Sequence, residues 1–412
     1  MIAKNNILYI TYDGLTDQLG QSQILPYLSS LSAKGFNITI VSCEKPGNFD
    51  KNVATVKQLV KTANLNWHFV KYNKKIPIVS PYFNTLRLKK LCLKLASTQP
   101  VHIVHCRSYL SAMIGLEIKQ LYGSKLIFDM RGFWPDERVD GGLWNKLNPI
   151  YNTVYHYFKQ QEKILLKNAD HVVTLTYKAQ EIVTDWKLVV NPKNITVIPC
   201  CADENHFDYL KILEQTKKSV RDKFSLGSKD KVLSYVGSIG TWYMLNEMLD
   251  FFKVLSEIKP DYRFLFITNE NPNPIRVAAK AKGIDLDKII IKAATRNEVP
   301  LFLSISDLSV FFIKPSFSKQ ASSPTKLAEL MFMGIPFVAN AGVGDVDGII
   351  NQSEMGCLIK NFGTEDYKKS IHCIERLNNI DKSIIRDFAL LYFSLEKGAL
   401  AYEEIYKKLL AA

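Results

Sequence analysis

The sequence predicts an α/β protein made of two successive doubly wound domains, and three observations carry that expectation. Short continuous apolar runs alternate with helical segments, the pattern of parallel strands covered on both faces. The alternation stops in a polar stretch at 202–230 and then begins again. Finally, 412 residues exceed what one ordinary domain holds.

In order, 7–11 reads as a buried strand, 13–20 as a glycine-bounded loop, and 21–34 as a helix closed by Gly35. Strands follow at 37–42, 101–105, 125–129, 171–176 and 194–201, the last ending in Pro199-Cys200-Cys201. After the polar stretch come a strand at 231–236, a helix at 244–258, and strands at 262–268, 288–292 and 308–313. A helix at 326–333 runs through Gly334 into a strand at 336–340, and 395–410 forms a terminal helix. The domains divide as 1–203, 204–390 and a helix at 391–412 that is free to pack back on the first domain. Two doubly wound halves present strand C-termini, where ligands bind, to a shared crevice.

Composition narrows the function classes. Hydrophobic residues make up 47% and charged residues 23%, as in a globular chain. No apolar run approaches ~20 residues, and residues 1–6 lack a signal-peptide core, so a cytoplasmic protein is expected. Seven cysteines without a C-x-x-C pair suit reduced thiols, with Cys200 and Cys201 as small packing residues.

Of the net charge of +13, residues 1–200 carry +12, from 25 basic against 13 acidic side chains. Between Asp50 and Glu117 there are eleven basic residues, Lys74 and Lys75 among them, and no acid. Such a surface is either simply solvated or turned toward an anionic partner. An anionic membrane through 71–94, with Tyr82 and Phe83 as anchors, is the partner favoured. Nucleic acid is disfavoured, because the stretch lacks an interleaved aromatic platform or a known module.

Two loops could do chemistry. Gly237-Ser238-Ile239-Gly240-Thr241 follows a strand and precedes a helix, where backbone N–H groups and close approach suit a phosphate, although many purely structural turns look the same. It contains no G-x-G-x-x-G fingerprint. The second segment, 314–340, starts a helix at Ser322-Ser323-Pro324, with Pro324 suited to the first turn. Lys326 and Glu329, three apart, share one face near the positive helix end. A lysine there can meet a diphosphate and a carboxylate can accept from a ribose diol; the plain alternative is a surface ion pair.

The run P-T-K-L-A-E-L-M-F-M-G-I-P-F-V-A, 324–339, resembles the C-terminal signature of retaining glycosyltransferases of family 4, which adopt the two-domain GT-B fold. The segments 12–22, 128–136, 169–173 and 197–203 resemble smaller landmarks of that family. The resemblance implies a nucleotide-sugar co-substrate of UDP or GDP type, no other cofactor, and a glycan or polyprenyl-linked acceptor in cell-envelope polysaccharide synthesis on the inner membrane face. It implies Arg131, Lys326 and Glu329 as catalytic residues, and Gly237, Ser238, Gly240, Ser322 and Ser323 as further donor contacts. Asp13, Gly14, Gly20 and Asp136 fall on the acceptor side. In such a mechanism the leaving phosphate helps deprotonate the acceptor, so charge stabilisation matters more than a dedicated base.

The departures from the family are specific. The first of its paired glutamates falls at Ala321, its usual basic residues at Ser238 and Met244, and a frequent histidine at Arg131. Lys326, backbone amides and either Lys314 or Arg131 would then meet the donor's charge. His105 reads as the cap of a buried strand. The D-x-D matches Asp285–Asp287 and Asp345–Asp347 read as a charged turn and a helix cap, and no metal is expected. Rival readings are a sugar-nucleotide epimerase on the same scaffold and a nucleic-acid-binding protein.

Overall fold

The computed structural model describes residues 5–73 and 79–411, so Lys74 and Lys75 lie outside the described residues. The chain divides into two compact units, Met1–Cys201 with Leu395–Ala412, and Ala202–Ser394.

The first unit runs β1 (Asn6–Thr11), α1 (Gln18–Gln23), α2 (Leu25–Ala33), β2 (Asn37–Glu44), α3 (Pro46–Thr62), β3 (Asn66–Lys71) and α4 (Val79–Thr98). It continues through β4 (Ile103–Arg107), α5 (Ser108–Tyr122), β5 (Lys125–Asp129), α6 (Trp134–Asp140), α7 (Pro149–Asn168), β6 (His171–Thr174), α8 (Tyr177–Asp185) and β7 (Ile195–Val197). The sheet is entirely parallel, in the order β3-β2-β1-β4-β5-β6-β7. Two crossover chains therefore diverge from β1 and β4, the place where strand order reverses. Register brings Thr11, Arg107 and Asp129 side by side at the strand C-termini.

The helix expected over 21–34 is two helices. Pro26 supplies no N–H, so the first ladder ends at Ile24 and a second helix restarts with the proline in its first turn. Strand β3 was not anticipated: its exposed and half-buried residues make it an edge strand without a continuous apolar run.

The second unit runs α9 (Glu214–Lys223), β8 (Lys231–Val236), α10 (Leu245–Ile258), β9 (Tyr262–Ile267), α11 (Asn273–Ala281), β10 (Ile289–Lys292) and α12 (Glu298–Leu303). Then come β11 (Leu308–Phe311), α13 (Thr325–Phe332), β12 (Phe337–Asn340), α14 (Val346–Ser353), β13 (Gly356–Ile359), α15 (Thr364–Leu377) and α16 (Lys382–Tyr392). Its parallel sheet repeats the first arrangement as β10-β9-β8-β11-β12-β13 around a Phe-rich core. Cys357 of β13 and Cys373 of α15 form a disulfide, which corrects the expectation of reduced thiols throughout. The facing strand and helix bring their Cα atoms to 6.3 Å, within bridging range.

The last helix, α17 (Leu395–Ala411), belongs to the first unit. Tyr402, Ile405, Tyr406 and Leu409 pack among Tyr27, Leu28, Leu31 and Phe36. Gly398 is required there, since a Cβ would stand 2.8 Å from both Cys201 Sγ and the Tyr27 ring. Among the described residues no helix is long and apolar enough to cross a membrane.

Candidate functional site

In the second unit, β8 ends in a turn where Gly237 has φ +120°, a backbone few side chains tolerate. A Cβ on Gly237 would lie 3.0 Å from Lys326 Nζ, so the missing side chain is what lets the lysine reach the turn. Lys326 projects from the first turn of α13, for which Pro324 is the N-cap rather than a first-turn residue. Its Nζ donates to Tyr235 Oη at 3.2 Å, and that hydroxyl donates to the Ser238 carbonyl. The ammonium also lies 4.2 Å from the Tyr235 ring centre and 4.0 Å from that of Tyr243. Cation–π contacts replace part of the lost hydration but do not neutralise the charge. Burial therefore pulls the Lys326 pKa down to about 7, with Glu329 only partly opposing. Burial raises Glu329 to about 7 as well, against the pull of Arg296 and Lys326.

The loop after β8 is laced to the segment after β11. Lys314 N–H donates to the Trp242 carbonyl at 2.8 Å, and Met244 N–H to that of Phe312 at 3.0 Å. Asn340, buried at the end of β12, clamps the same place by accepting from Ile313 N–H and donating to the Ile313 carbonyl. Lys319, which the sequence reading passed over, is buried with its Nζ 3.8 Å from the centre of the Trp242 ring. Gly344 N–H fixes the Lys319 carbonyl at 2.9 Å. Lys314, by contrast, is exposed. Among the described residues the N–H groups of Ser238 and Ile239 have no protein acceptor, so they remain available to an anion. Ser322 and Ser323, half-buried, lead into α13, and Gly240, at φ +103°, closes the turn toward Tyr243.

In the first unit the expected residues divide between two networks. At the strand ends, Arg107 Nε meets Asp13 Oδ2 at 3.2 Å, and Arg131 Nη1 lies 3.8 Å from Asp129 Oδ1. Arg131 has φ +55° and also donates to Cys200 Sγ at 3.3 Å. Burial pushes the Asp129 carboxyl up, but Arg131, the nearby His105 ring and Arg107 together hold it below the ordinary aspartate range. Tyr402 of α17 donates to Asp129 Oδ2 at 3.1 Å. His105 is more than a strand cap: its Nδ1 lies 2.7 Å from Tyr406 Oη, and burial lowers its pKa although Asp129 Oδ2 stands 3.7 Å from its Nε2. Asp136 belongs to the other network. Its two oxygens accept from Tyr155 Oη at 2.8 Å and Lys159 Nζ at 2.9 Å, and Lys159 also pairs with the buried Glu162.

Gly14 and Gly20 are packing glycines. A Cβ would lie 2.8 Å from Glu44 Oε2 at Gly14, and 2.2 Å from the Gly14 carbonyl at Gly20. Glu44, unforeseen in the sequence, is buried and accepts from Leu15 N–H at 2.7 Å and Thr16 N–H at 3.1 Å. These two amides are therefore already engaged. The D-x-D segments are likewise occupied: Asp285 accepts from Asp287 N–H at 3.0 Å, and Asp347 from Gly342 N–H at 3.1 Å. Asp345 occupies the N-cap of α14 without the side-chain cap bond expected of it. Among the described residues no three His, Cys, Asp or Glu side chains form a metal-holding group.

Residues 25–206 match the family Glycosyltransferase Family 4, and residues 216–387 match Glycosyl transferases group 1. No curated protein sequence matches the chain. Among solved structures it is similar to a glycosyltransferase from Rickettsia africae ESF-5, at 18% identity over 99% of both chains with a TM-score of 0.73. It is also similar to HepE from Anabaena in complex with UDP and glucose, at 12% identity, TM-score 0.69, over 97% of this chain and 99% of the other. A third is WaaG, a glycosyltransferase involved in lipopolysaccharide biosynthesis, at 13% identity, TM-score 0.67, over 95% and 98%. At these identities the likeness establishes the fold.

Proposed function

The chain belongs to the GT-B glycosyltransferases that join a family 4 N-terminal domain to a group 1 C-terminal domain, and on that premise we propose that it moves a sugar from a UDP- or GDP-sugar to a glycan or polyprenyl-linked acceptor with retention of configuration. The observation that carries this reading is Lys326, desolvated on two aromatic rings directly behind the Gly237 turn. A desolvated ammonium with no fully compensating partner costs the fold stability and is a strong ligand for a diphosphate. The open amides of Ser238 and Ile239 add two donors on the same side. Glu329, one turn further along α13, is the carboxylate proposed to accept from the ribose hydroxyls once ionised.

Negative charge on the diphosphate grows as the glycosidic bond breaks, so an ammonium already in place favours the transition state over the ground state. The departing phosphate oxygen then takes the acceptor proton, and no carboxylate base is needed. Arg131, held to Asp129 in the first unit, is the cation proposed for the sugar side, with Asp13 on the acceptor side and Gly14 and Gly20 shaping its loop. The acceptor class and a role in cell-envelope polysaccharide synthesis at the inner membrane face rest on the basic first half; WaaG, similar in fold, is involved in lipopolysaccharide biosynthesis. The test is saturation-transfer NMR of the full chain against UDP-, GDP-, ADP- and CMP-sugars. Contact signals from ribose and diphosphate-linked sugar protons of one class are expected. Binding of none overturns the proposal, and a free epimerised sugar nucleotide formed without acceptor replaces it with the epimerase reading.

A further inference from the structure

The segment between α6 and α7 exposes aliphatic side chains that its own architecture holds outward. Leu143 is 58% exposed, Leu147 91% and Ile150 61%. Monomeric proteins scatter single apolar residues over their surfaces, but three on one short segment require an account. This turn is built, not slack. Trp144 points inward, edge-on to Trp134 at 5.3 Å and stacked on Phe158 at 5.8 Å, and its N–H donates to the Arg138 carbonyl at 2.9 Å. Asn145 accepts from Leu147 N–H at 2.9 Å, and Asn148 caps α7 through Ile150 N–H at 2.9 Å. With Trp144 and both asparagines committed to holding the turn, the leucines and Ile150 are presented to solvent.

A second apolar group lies at the same end of the same unit. Helix α4 follows β3 and α7 follows β5, so both helices begin at the strand C-termini, and both pack on α5 between them. The first turns of α4 expose Tyr82, Phe83 and Leu86, and the helix then exposes Arg87, Lys90 and Lys94. Leu88, Cys92 and Ala96 are its buried stripe, so the apolar residues at its start are not part of the core. Lys146, set between Leu143 and Leu147, lies 4.6 Å from the centre of the Tyr155 ring.

We propose that the 143–150 turn inserts into an anionic lipid surface as a second anchor beside the start of α4. This rests on the reading above of a membrane-associated transferase and names the element that would enter the bilayer interface. Charge complementarity selects lipid over a second copy of this chain. A two-fold interface would set Lys90, Lys94 and Lys146 against their own kind, whereas anionic headgroups neutralise them while the apolar tips enter the acyl boundary.

Co-sedimentation of the full chain with phosphatidylglycerol-containing vesicles, against pure phosphatidylcholine, tests the proposal. Leu143→Ser/Leu147→Ser/Ile150→Ser should melt like wild type, because all three side chains are exposed, and should lose on the order of tenfold in vesicle binding. Its residual binding should vanish in high salt. Lys90→Glu/Lys94→Glu should instead lose the salt-sensitive part of binding and keep an apolar remainder. A Leu147→Trp reporter should shift its emission to the blue and be quenched by brominated lipid. Equal binding by the triple serine variant, or an unshifted reporter on bound protein, overturns the inference. So does a concentration-dependent dimer that only the serine variant abolishes. Donor contacts measured by NMR on the same variants keep the two questions apart: vesicle binding without any nucleotide-sugar contact removes the transferase reading and leaves the anchor standing.

Discussion

Both units bury charge at the C-terminal ends of their sheets, and they do so in opposite ways. In the first, the ions come in compensating sets: Asp13 with Arg107, and Asp129 with Arg131 and a hydrogen bond from Tyr402. Desolvation works against each of these charges, yet Asp129 stays below its ordinary pKa range and Arg131 well above its own, because each has its partner close by. In the second unit Lys326 faces tyrosine rings and one hydroxyl, and its pKa falls to about 7. A compensated cluster is part of the fold, while a desolvated lysine on aromatic rings is the place proposed above for an anion.

The largest effect expected is on stability. Asp129→Ala leaves the buried Arg131 guanidinium without its carboxylate and should cost about 3–5 kcal/mol. Lys326→Met removes a desolvated ammonium from a site where an apolar chain of similar length fits, and should leave stability unchanged or raise it. Urea melts of the two variants beside wild type measure this. Comparable losses in both would abolish the contrast between the units.

Activity should show the reverse order. Glu329→Gln removes a charged acceptor for two hydroxyls, worth about 1.5–3 kcal/mol, and so should lower kcat/KM for the donor at least tenfold with the fold intact. Lys326→Ala should reduce turnover more than Lys326→Arg, since charge on the leaving group grows in the transition state. An unchanged kcat/KM removes Glu329 from the site, and equal turnover in both lysine variants makes Lys326 structural.

The lysine and glutamate of this site were legible because three-residue spacing on a helix is a local pattern. Their surroundings were not. Tyr235 lies 91 positions from Lys326 and meets it only because β8 and β11 are neighbours in the sheet. Trp242 and Tyr243 became aromatic walls for Lys319 and Lys326 through cross-loop bonds to Phe312 and Lys314, which no periodicity announces. Glu44 was missed for the same reason, since it ends a strand and satisfies a loop nearly thirty residues earlier. Parallel strands were readable from continuous apolar runs, whereas β3, half exposed at an edge, carried no such run.

A pH dependence follows from the two shifted groups. Lys326 titrates near 7 rather than 10.5, so the folded protein binds fewer protons than the unfolded chain between those values, and stability should rise with pH there. The folded-state pKa of Glu329 is raised from 4.5 to about 7, so stability should fall with pH across that interval. Together they predict a trough in stability near neutrality. Melts from pH 5 to 10 should show Lys326→Met flattening the alkaline side and Glu329→Gln the acidic side. A trough that survives both substitutions places its cause elsewhere, such as the paired ions of the first unit.

The smallest expected effect is none. If Lys326 and the Ser238 and Ile239 amides meet the diphosphate, a divalent cation has no charge left to supply for the chemistry. The carboxylates that might have held one are engaged locally: Asp285 closes its own turn and Asp347 accepts from Gly342 N–H. Turnover of metal-stripped protein in excess EDTA should therefore equal that in Mg²⁺ or Mn²⁺. Lys326→Met sharpens the result, because a metal-independent enzyme should not be rescued by adding either ion to that variant. Loss of wild-type activity in EDTA, restored by Mn²⁺, would instead mean that the 345–347 carboxylates rearrange around a bound donor and share its charge with the lysine.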